Sequence, residues 1–185
     1  MRSLSQIKYP ISFAVCTNCK EIFIDDYPLF GSYICPNCKS LEIALVRGFD
    51  SIEDAENYLD ELNEKEKKNK RKIIIYISGA YMGNDGGRSI NKNILLAREY
   101  AIKLWELGYT VICPHLNTQF FERDCNCKQE DFVEGDCEIV KRCNSLFVLS
   151  NYIDSKGAQK EIKVAKENNL PIFYKIEDIE KYYEN

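Results

Sequence analysis

The chain has 185 residues, 45% of them hydrophobic and 12% aromatic, enough apolar material for one ordinary globular domain plus an accessory piece, and this excludes disorder of the whole. A formal net charge of −4 argues against a general affinity for nucleic-acid backbones, while a small anionic ligand needs only local donors. No apolar run approaches the roughly 18 residues of a membrane span, and the start MRSLSQIKYPISFAVC carries no signal-peptide cleavage pattern, so a cytoplasmic location without membrane contact is expected.

In a reducing compartment the nine cysteines point to metal ligation or thiols rather than disulfides. The first motif along the chain is a pair of Cys-x-x-Cys turns, CTNC (Cys16, Cys19) and CPNC (Cys35, Cys38), separated by fifteen residues. This is the spacing of a four-thiolate zinc ribbon. Four thiolates close a tetrahedron around Zn²⁺ and leave no position for a substrate, so the metal is expected to be structural. Between the turns, EIFI and GSYI read as short strands, and the metal would replace the core that about 45 residues cannot build. The ribbon is placed at 1–48. In SIEDAENYLDELNEKEKKNKRK, Ile52, Ala55, Tyr58, Leu59 and Leu62 recur at helical spacing before the pattern dissolves into charge. The spacing predicts a helix and then a solvated linker ending near Lys70, together 49–71. The basic run Lys67 to Lys72 reads as a soluble face.

From Lys72 the pattern changes. KIIIYISG predicts a buried strand, RSINKNILLAREYAIKLWELG a helix with Ile90, Ile94, Ala97, Ala101 and Leu104 on one side and Gly108 at its end, and YTVICP the next strand. Then EDFVEGDCEIVKRC reads as helix, NSLFVLS as strand, SKGAQKEIKVAKENN as helix and LPIFYK as strand. Alternation of this kind predicts an α/β fold over 72–185: a three-layer, Rossmann-like or flavodoxin-like domain with a parallel sheet. Such sheets bind ligands beyond the carboxyl ends of their strands. Gly79, Gly83, Gly86 and Gly87 follow the first strand, yet neither a phosphate-loop ending nor a dinucleotide fingerprint is present, so kinase-like and NAD chemistry are disfavoured and no organic cofactor is expected.

Two helices carry a carboxylate where apolar residues belong. Ala158, Ile162 and Ala165 form a narrow arc with Glu161 on its flank, and Asp136 falls inside the stripe of Val133, Cys137 and Val140. A carboxylate there is costly without a partner or a task, and two of them beside a Gly-rich loop suggest a two-carboxylate site. Ser155 and Gly157 open the Glu161 helix and suit either an anion or a plain N-cap. His115, the sole histidine, follows a strand and is a further ligand candidate; Cys125 and Cys127 stand in a nearby loop as incidental thiols or a minor metal or redox pair.

In this order, YISG, LGYTVICPHLN, EGDCEIVKRCNSLFVL and SKGAQKE resemble the nucleoside 2-deoxyribosyltransferase-like superfamily, and more closely a phage and bacterial branch of unassigned activity. The resemblance covers Lys72 to about Tyr174. It implies N-glycosidic chemistry, in which a glutamate attacks the anomeric carbon of a deoxyribosyl group and water or a second base completes the turnover. By position, Glu161 matches the nucleophile, Asp136 the aspartate near the departing base, and Tyr76 the tyrosine that hydrogen-bonds the nucleophile. Gly79, Ser155, Gly157, His115 and Asn117 are expected to contact the substrate. Base-exchanging transferases tend to carry an aspartate six residues before the nucleophile, whereas deoxynucleoside 5′-monophosphate N-glycosidases carry a serine. Ser155 stands there, so the resemblance implies a phosphorylated nucleotide as substrate, with hydrolysis or base exchange as the reaction. It also implies a homo-oligomer, a dimer or larger. The competing expectation is a binding module without turnover, holding a nucleotide or an ADP-ribose-like ligand, with the zinc ribbon docking protein or nucleic acid.

Overall fold

The computed structural model describes residues 12–16, 18–25, 35, 37–39, 51–83 and 87–184. The strand expected at GSYI, and Gly86, lie outside them. The chain divides into two compact units, Met1–Glu66 and Lys67–Asn185.

In the first unit, β1 (Ser12–Val15) and β2 (Ile22–Asp25) form an antiparallel hairpin in which Val15 lies opposite Ile22. Helix α1 (Ile52–Lys70) starts there, capped by Ser51, whose hydroxyl accepts from the Asp54 N–H at 3.1 Å. Val15 and Ala55 are buried together, with Ile22, Tyr58 and Leu59 packed around them. The helix runs straight through the charged stretch that the hydrophobic pattern reads as a linker. Glu and Lys favour helix, and the acidic first turn with Lys67, Lys68 and Lys70 in the last complements the helix dipole, so no apolar stripe is needed there.

The second unit has the expected three layers. Its strands β3 (Ile74–Ser78), β4 (Thr110–Ile112), β5 (Ser145–Val148) and β6 (Ile172–Phe173) form one parallel sheet in the order β4-β3-β5-β6. Taken in chain order within this unit, that is the flavodoxin-like order, with the switch of direction between β3 and β5. Side chains alternate across the strands. Ile75, Ile77, Phe147 and Leu149 pack on one face with Ala97, Ala101 and Leu104 of α2 (Gly87–Glu106) and Ile179 of α6 (Ile176–Tyr183). Tyr76, Leu146 and Val148 pack on the other with Val140 of α4 (Gln129–Val140) and Ile162 and Ala165 of α5 (Lys156–Glu167). A short helix, α3 (Pro114–Asn117), and a 3-10 turn, Phe121–Arg123, follow β4. α3 and the 3-10 turn are too short for a 3.6-residue repeat to stand out, whereas α6 carries one, Ile176, Ile179 and Tyr183 at steps of three and four, beyond the last element read from the sequence. The sixth strand is shorter than LPIFYK suggests.

Gly108 ends α2 with φ +94°, its N–H bonded to the Trp105 carbonyl at 3.0 Å. An L side chain there meets left-handed strain. Gly108→Ala should therefore lower unfolding stability by about 1–2 kcal/mol. Urea titration of the variant beside the wild type checks this, and an unchanged midpoint contradicts it.

Candidate functional site

The alternation of β3 sends Tyr76 and Ser78 to the same face, toward α5. Glu161, in the second turn of that helix, is only 6% exposed. The Tyr76 hydroxyl donates to one of its carboxylate oxygens at 2.9 Å and the Ser78 hydroxyl to the other at 2.5 Å. Burial pushes the Glu161 carboxyl up to about 7, against the Ser78 and Tyr76 hydrogen bonds that favour its charged form; the Asp136 charge adds to the rise. Ser78 was not singled out from sequence. Its signal was available: it stands two residues after Tyr76 on the same strand.

Asp136 projects from α4 and is half-buried; burial raises its carboxyl to about 6, partly offset by the Tyr76 hydroxyl. Asp136 and Glu161 line one cavity of about 350 Å³. Gly79, His115, Ser155 and Gly157 line it too, whereas Asn117 is exposed at the end of α3 and does not. Tyr76 belongs to the site through its bond to Glu161. Among the cavity's other side chains are Tyr81, Glu122, Asp154 and Lys156, none of which periodicity isolates, since all lie in loops or at a helix start.

The loop after β3 is tied down from three elements. Asn151, after β5, accepts from the Ala80 N–H at 3.1 Å, and its amide donates to the Asn93 side chain of α2 at 3.0 Å. Asn93 in turn donates to the carbonyls of Tyr81 and Met82 at 3.1 and 3.2 Å. His115 contacts the Ala80 carbonyl through Nε2 at 3.1 Å. A carbonyl only accepts, so Nε2 carries the hydrogen, and Nδ1 is a buried acceptor with no protein partner among the described residues. Burial lowers the pKa of His115, outweighing the Ala80 contact, so the ring is neutral at pH 7. Gly79 is required by packing: a Cβ there would lie 2.7 Å from Leu149 Cδ1. Tyr81 accepts from the Phe120 N–H at 2.9 Å and donates to Glu122 at 3.2 Å, which joins the β3 loop to the segment after β4.

At the start of α5, Ser155 caps the helix by accepting from the Ala158 N–H at 3.2 Å, and this leaves its own hydrogen to donate. Gly157 places no side chain in the cavity, where a Cβ would stand 3.4 Å from Val133 Cγ2. Lys156 and Asp154 bring opposite charges to the same rim. Cys125 and Cys127 are exposed and outside the cavity lining.

Residues 73–174, more than half of the chain, match a family model described as a domain of unknown function, DUF4406. The chain belongs to the DUF4406 family. No curated protein matches it. Among solved structures it is similar to a 2-deoxyribosyltransferase from the psychrotolerant bacterium Bacillus psychrosaccharolyticus, at 16% identity over 54% of this chain and 69% of that one, with a TM-score of 0.37. A likeness of that size leaves the chemistry to be argued from the site. The matched range holds all the cavity carboxylates named above and begins after the four-cysteine cluster of the first unit.

In that cluster the four sulfurs of Cys16, Cys19, Cys35 and Cys38 lie within 4.8 Å of one another. Cys16 and Cys38 are 3.7 Å apart at sulfur, and Cys19 and Cys35 3.5 Å. Both spacings are far from a disulfide of about 2.05 Å and close to the edge, about 3.8 Å, of a tetrahedron with metal–sulfur bonds of about 2.3 Å. The two turns share one backbone form: Lys20 and Lys39 have φ 62° and 57°, and their N–H groups bond to the carbonyls of Cys16 and Cys35 at 2.8 and 3.0 Å. The cluster can bind a metal ion.

Glu161 and Asp136 both titrate higher in the folded protein than in an unfolded chain, so the fold favours their protonated forms. This stability is fully present below the unfolded values near pH 4 and is lost as pH rises through about 6 to about 7. Glu161→Gln should accordingly stabilise the protein at pH 8, by on the order of 2–3 kcal/mol, and flatten the decline between pH 5 and 8. Thermal melts across that range test it; a variant less stable than wild type at pH 8 contradicts it.

Proposed function

We propose that the DUF4406 domain of this protein acts on the N-glycosidic bond of a deoxynucleoside 5′-monophosphate, with Glu161 as nucleophile. The observation that carries this reading is a nine-tenths-buried carboxylate, gripped at both oxygens by Tyr76 and Ser78, lining the same cavity as a second carboxylate of raised pKa. Burial strips water from Glu161, and the two hydroxyls orient it without neutralising it, as an attacking carboxylate needs. In the step proposed, a Glu161 oxygen bonds to C1′ while the C1′–N bond breaks and its electron pair leaves with the base. Asp136, protonated, supplies the proton that the departing base takes up. Water, deprotonated by Asp136, or a second base then attacks C1′ and frees Glu161, which is the logic of a retaining glycosidase.

The start of α5 supports a phosphate on the substrate: the Ser155 hydroxyl, the backbone N–H groups of Lys156 and Gly157 at the helix start and the Lys156 side chain all favour an anion. Asp154 opposes it from the same rim. We expect the donors to prevail and a 5′-phosphate to raise kcat/KM by roughly tenfold over the nucleoside.

Chromatography of free base after incubation with deoxy- and ribonucleosides and their 5′-monophosphates tests the reading. The wild type should release base from deoxynucleotides, and Glu161→Gln should lose on the order of 10³-fold or more of that rate. The active form has Glu161 ionised and Asp136 protonated, the reverse of the order in which the two titrate, so it is the minority singly protonated form, and kcat/KM should follow a bell between about pH 6 and 7 with limbs that belong to the pair. Tyr76→Phe removes a bond that favours the charged forms of both Glu161 and Asp136 and should move both limbs upward. Binding of intact nucleotide that survives Glu161→Gln, with no base released by either protein, would replace catalysis with ligand binding as the function.

For the first unit we propose a structural zinc ion held by Cys16, Cys19, Cys35 and Cys38. Four thiolates close its coordination, so it would contribute cohesion rather than a Lewis-acid position. Elemental analysis should find one zinc per chain, and Cys16→Ser should lose it. Chelation should leave base release by the DUF4406 domain unchanged; loss of release on chelation would show that the metal serves the chemistry.

A further inference from the structure

The cavity is not chemically uniform. Its two ends follow different strands, and β3, which grips Glu161, runs between them. At the β5 end the Ser155 hydroxyl, the first N–H groups of α5 and the Lys156 side chain offer hydrogens. Toward β4 the lining offers lone pairs instead. Three side chains there have already spent their hydrogens within the protein: Tyr81 donates to Glu122 at 3.2 Å, His115 to the Ala80 carbonyl at 3.1 Å and Thr118 to the Pro114 carbonyl at 3.2 Å. Among the described polar side chains at this end, the Gln129 amide alone can both donate and accept.

Glu122 is the strongest acceptor of the group, and the protein leaves it part-satisfied. Tyr81 has one hydrogen for two carboxylate oxygens that stand 3.2 and 3.4 Å from its own. Arg123 Nε is 4.0 Å away and its guanidinium lies over the Phe120 ring, so it adds charge without a hydrogen bond. The backbone commits to this placement at a cost. Phe120, whose N–H holds the Tyr81 hydroxyl at 2.9 Å, has φ 62°, a left-handed form that a bulky side chain disfavours. Glu122 is thus fixed in the cavity wall with lone pairs to spare, and the proposed glycosidic step makes no use of it.

We infer that Glu122 selects the base, and that the nucleotide this site is built for carries an exocyclic amino group: cytosine, adenine or guanine rather than uracil, thymine or hypoxanthine. On the nucleotide reading of the cavity proposed above, on which this inference rests, the 5′-phosphate takes the hydrogen-rich start of α5 and C1′ lies at Glu161. The base then extends toward β4, two strand spacings or about 10 Å from β5. A carboxylate accepts readily from an amino group on a base. A carbonyl in its place, as in uracil or hypoxanthine, sets lone pairs against lone pairs and leaves Glu122 without a donor.

Base release from dCMP against dUMP, and from dAMP and dGMP against dIMP, reads this choice directly. The nucleotide cleaved fastest should carry the amino group and exceed its partner lacking it by on the order of 10²-fold in kcat/KM. Glu122→Gln replaces one acceptor oxygen by a donor, so the ratio should contract to within about tenfold, partly through a gain for the partner substrate. Parallel slowing of both substrates, with the ratio unchanged, overturns the role of Glu122. Equal or faster release from dUMP or dIMP by the wild type overturns the inference and leaves glycosidic cleavage standing. Should no nucleotide be cleaved, dissociation constants for the same pairs decide it. Amino nucleotides bound about tenfold more tightly than their partners sustain the inference without the catalytic reading, and equal affinities or no binding overturn it.

Discussion

A carboxylate buried against a β-sheet is the constraint around which the second unit is arranged. Moving an ionised group out of water costs several kcal/mol, and Glu161 recovers part of it from two hydroxyls that reach its two oxygens separately. Both hydroxyls come from one strand, because residues two apart share a face; the strand must therefore hold its register against β4 and β5 for the grip to survive. What remains of the cost appears as a raised pKa. A folded protein that keeps such a group accepts lower stability at neutral pH together with a firmly oriented oxygen.

The cavity wall is built by the same economy of means. The first loop leaves the sheet at the switch point between β3 and β5, where neighbouring connections diverge and a crevice opens. Asn151, Asn93 and His115 reach that loop from three different elements, so its backbone groups are satisfied although no regular structure continues there. Neutral His115 and the Tyr81–Glu122 contact extend the arrangement to the segment after β4. The result is a mostly apolar cavity whose polar groups are held in place by these contacts.

The two units differ in what their described residues offer for cohesion. The DUF4406 domain buries two apolar layers against its sheet, whereas the first unit shows one small cluster around Val15 and Ala55 among its described residues and places four sulfurs at metal-binding distance. A small unit with little apolar burial gains most from a metal, since the thiolates have no comparable arrangement in the unfolded chain.

The sequence by itself determined the layered α/β architecture, because buried strands and amphipathic helices each carry their own period, and it marked Glu161 and Asp136, because a charge inside an apolar arc stands out against that period. The two Cys-x-x-Cys turns were legible for a related reason: ligand spacing within a turn is local. Only the tertiary structure decided that Glu161 and Asp136 share a cavity, that Ser78 completes the grip on Glu161, and that Tyr81, Glu122 and Lys156 join the lining while Asn117 stays outside it. These depend on how far each helix slides along the sheet and on where loops turn, and no periodicity encodes either. The charged end of α1 and the four-residue α3 show the other limit, where local propensity acts without an apolar stripe and the pattern in the sequence falls silent.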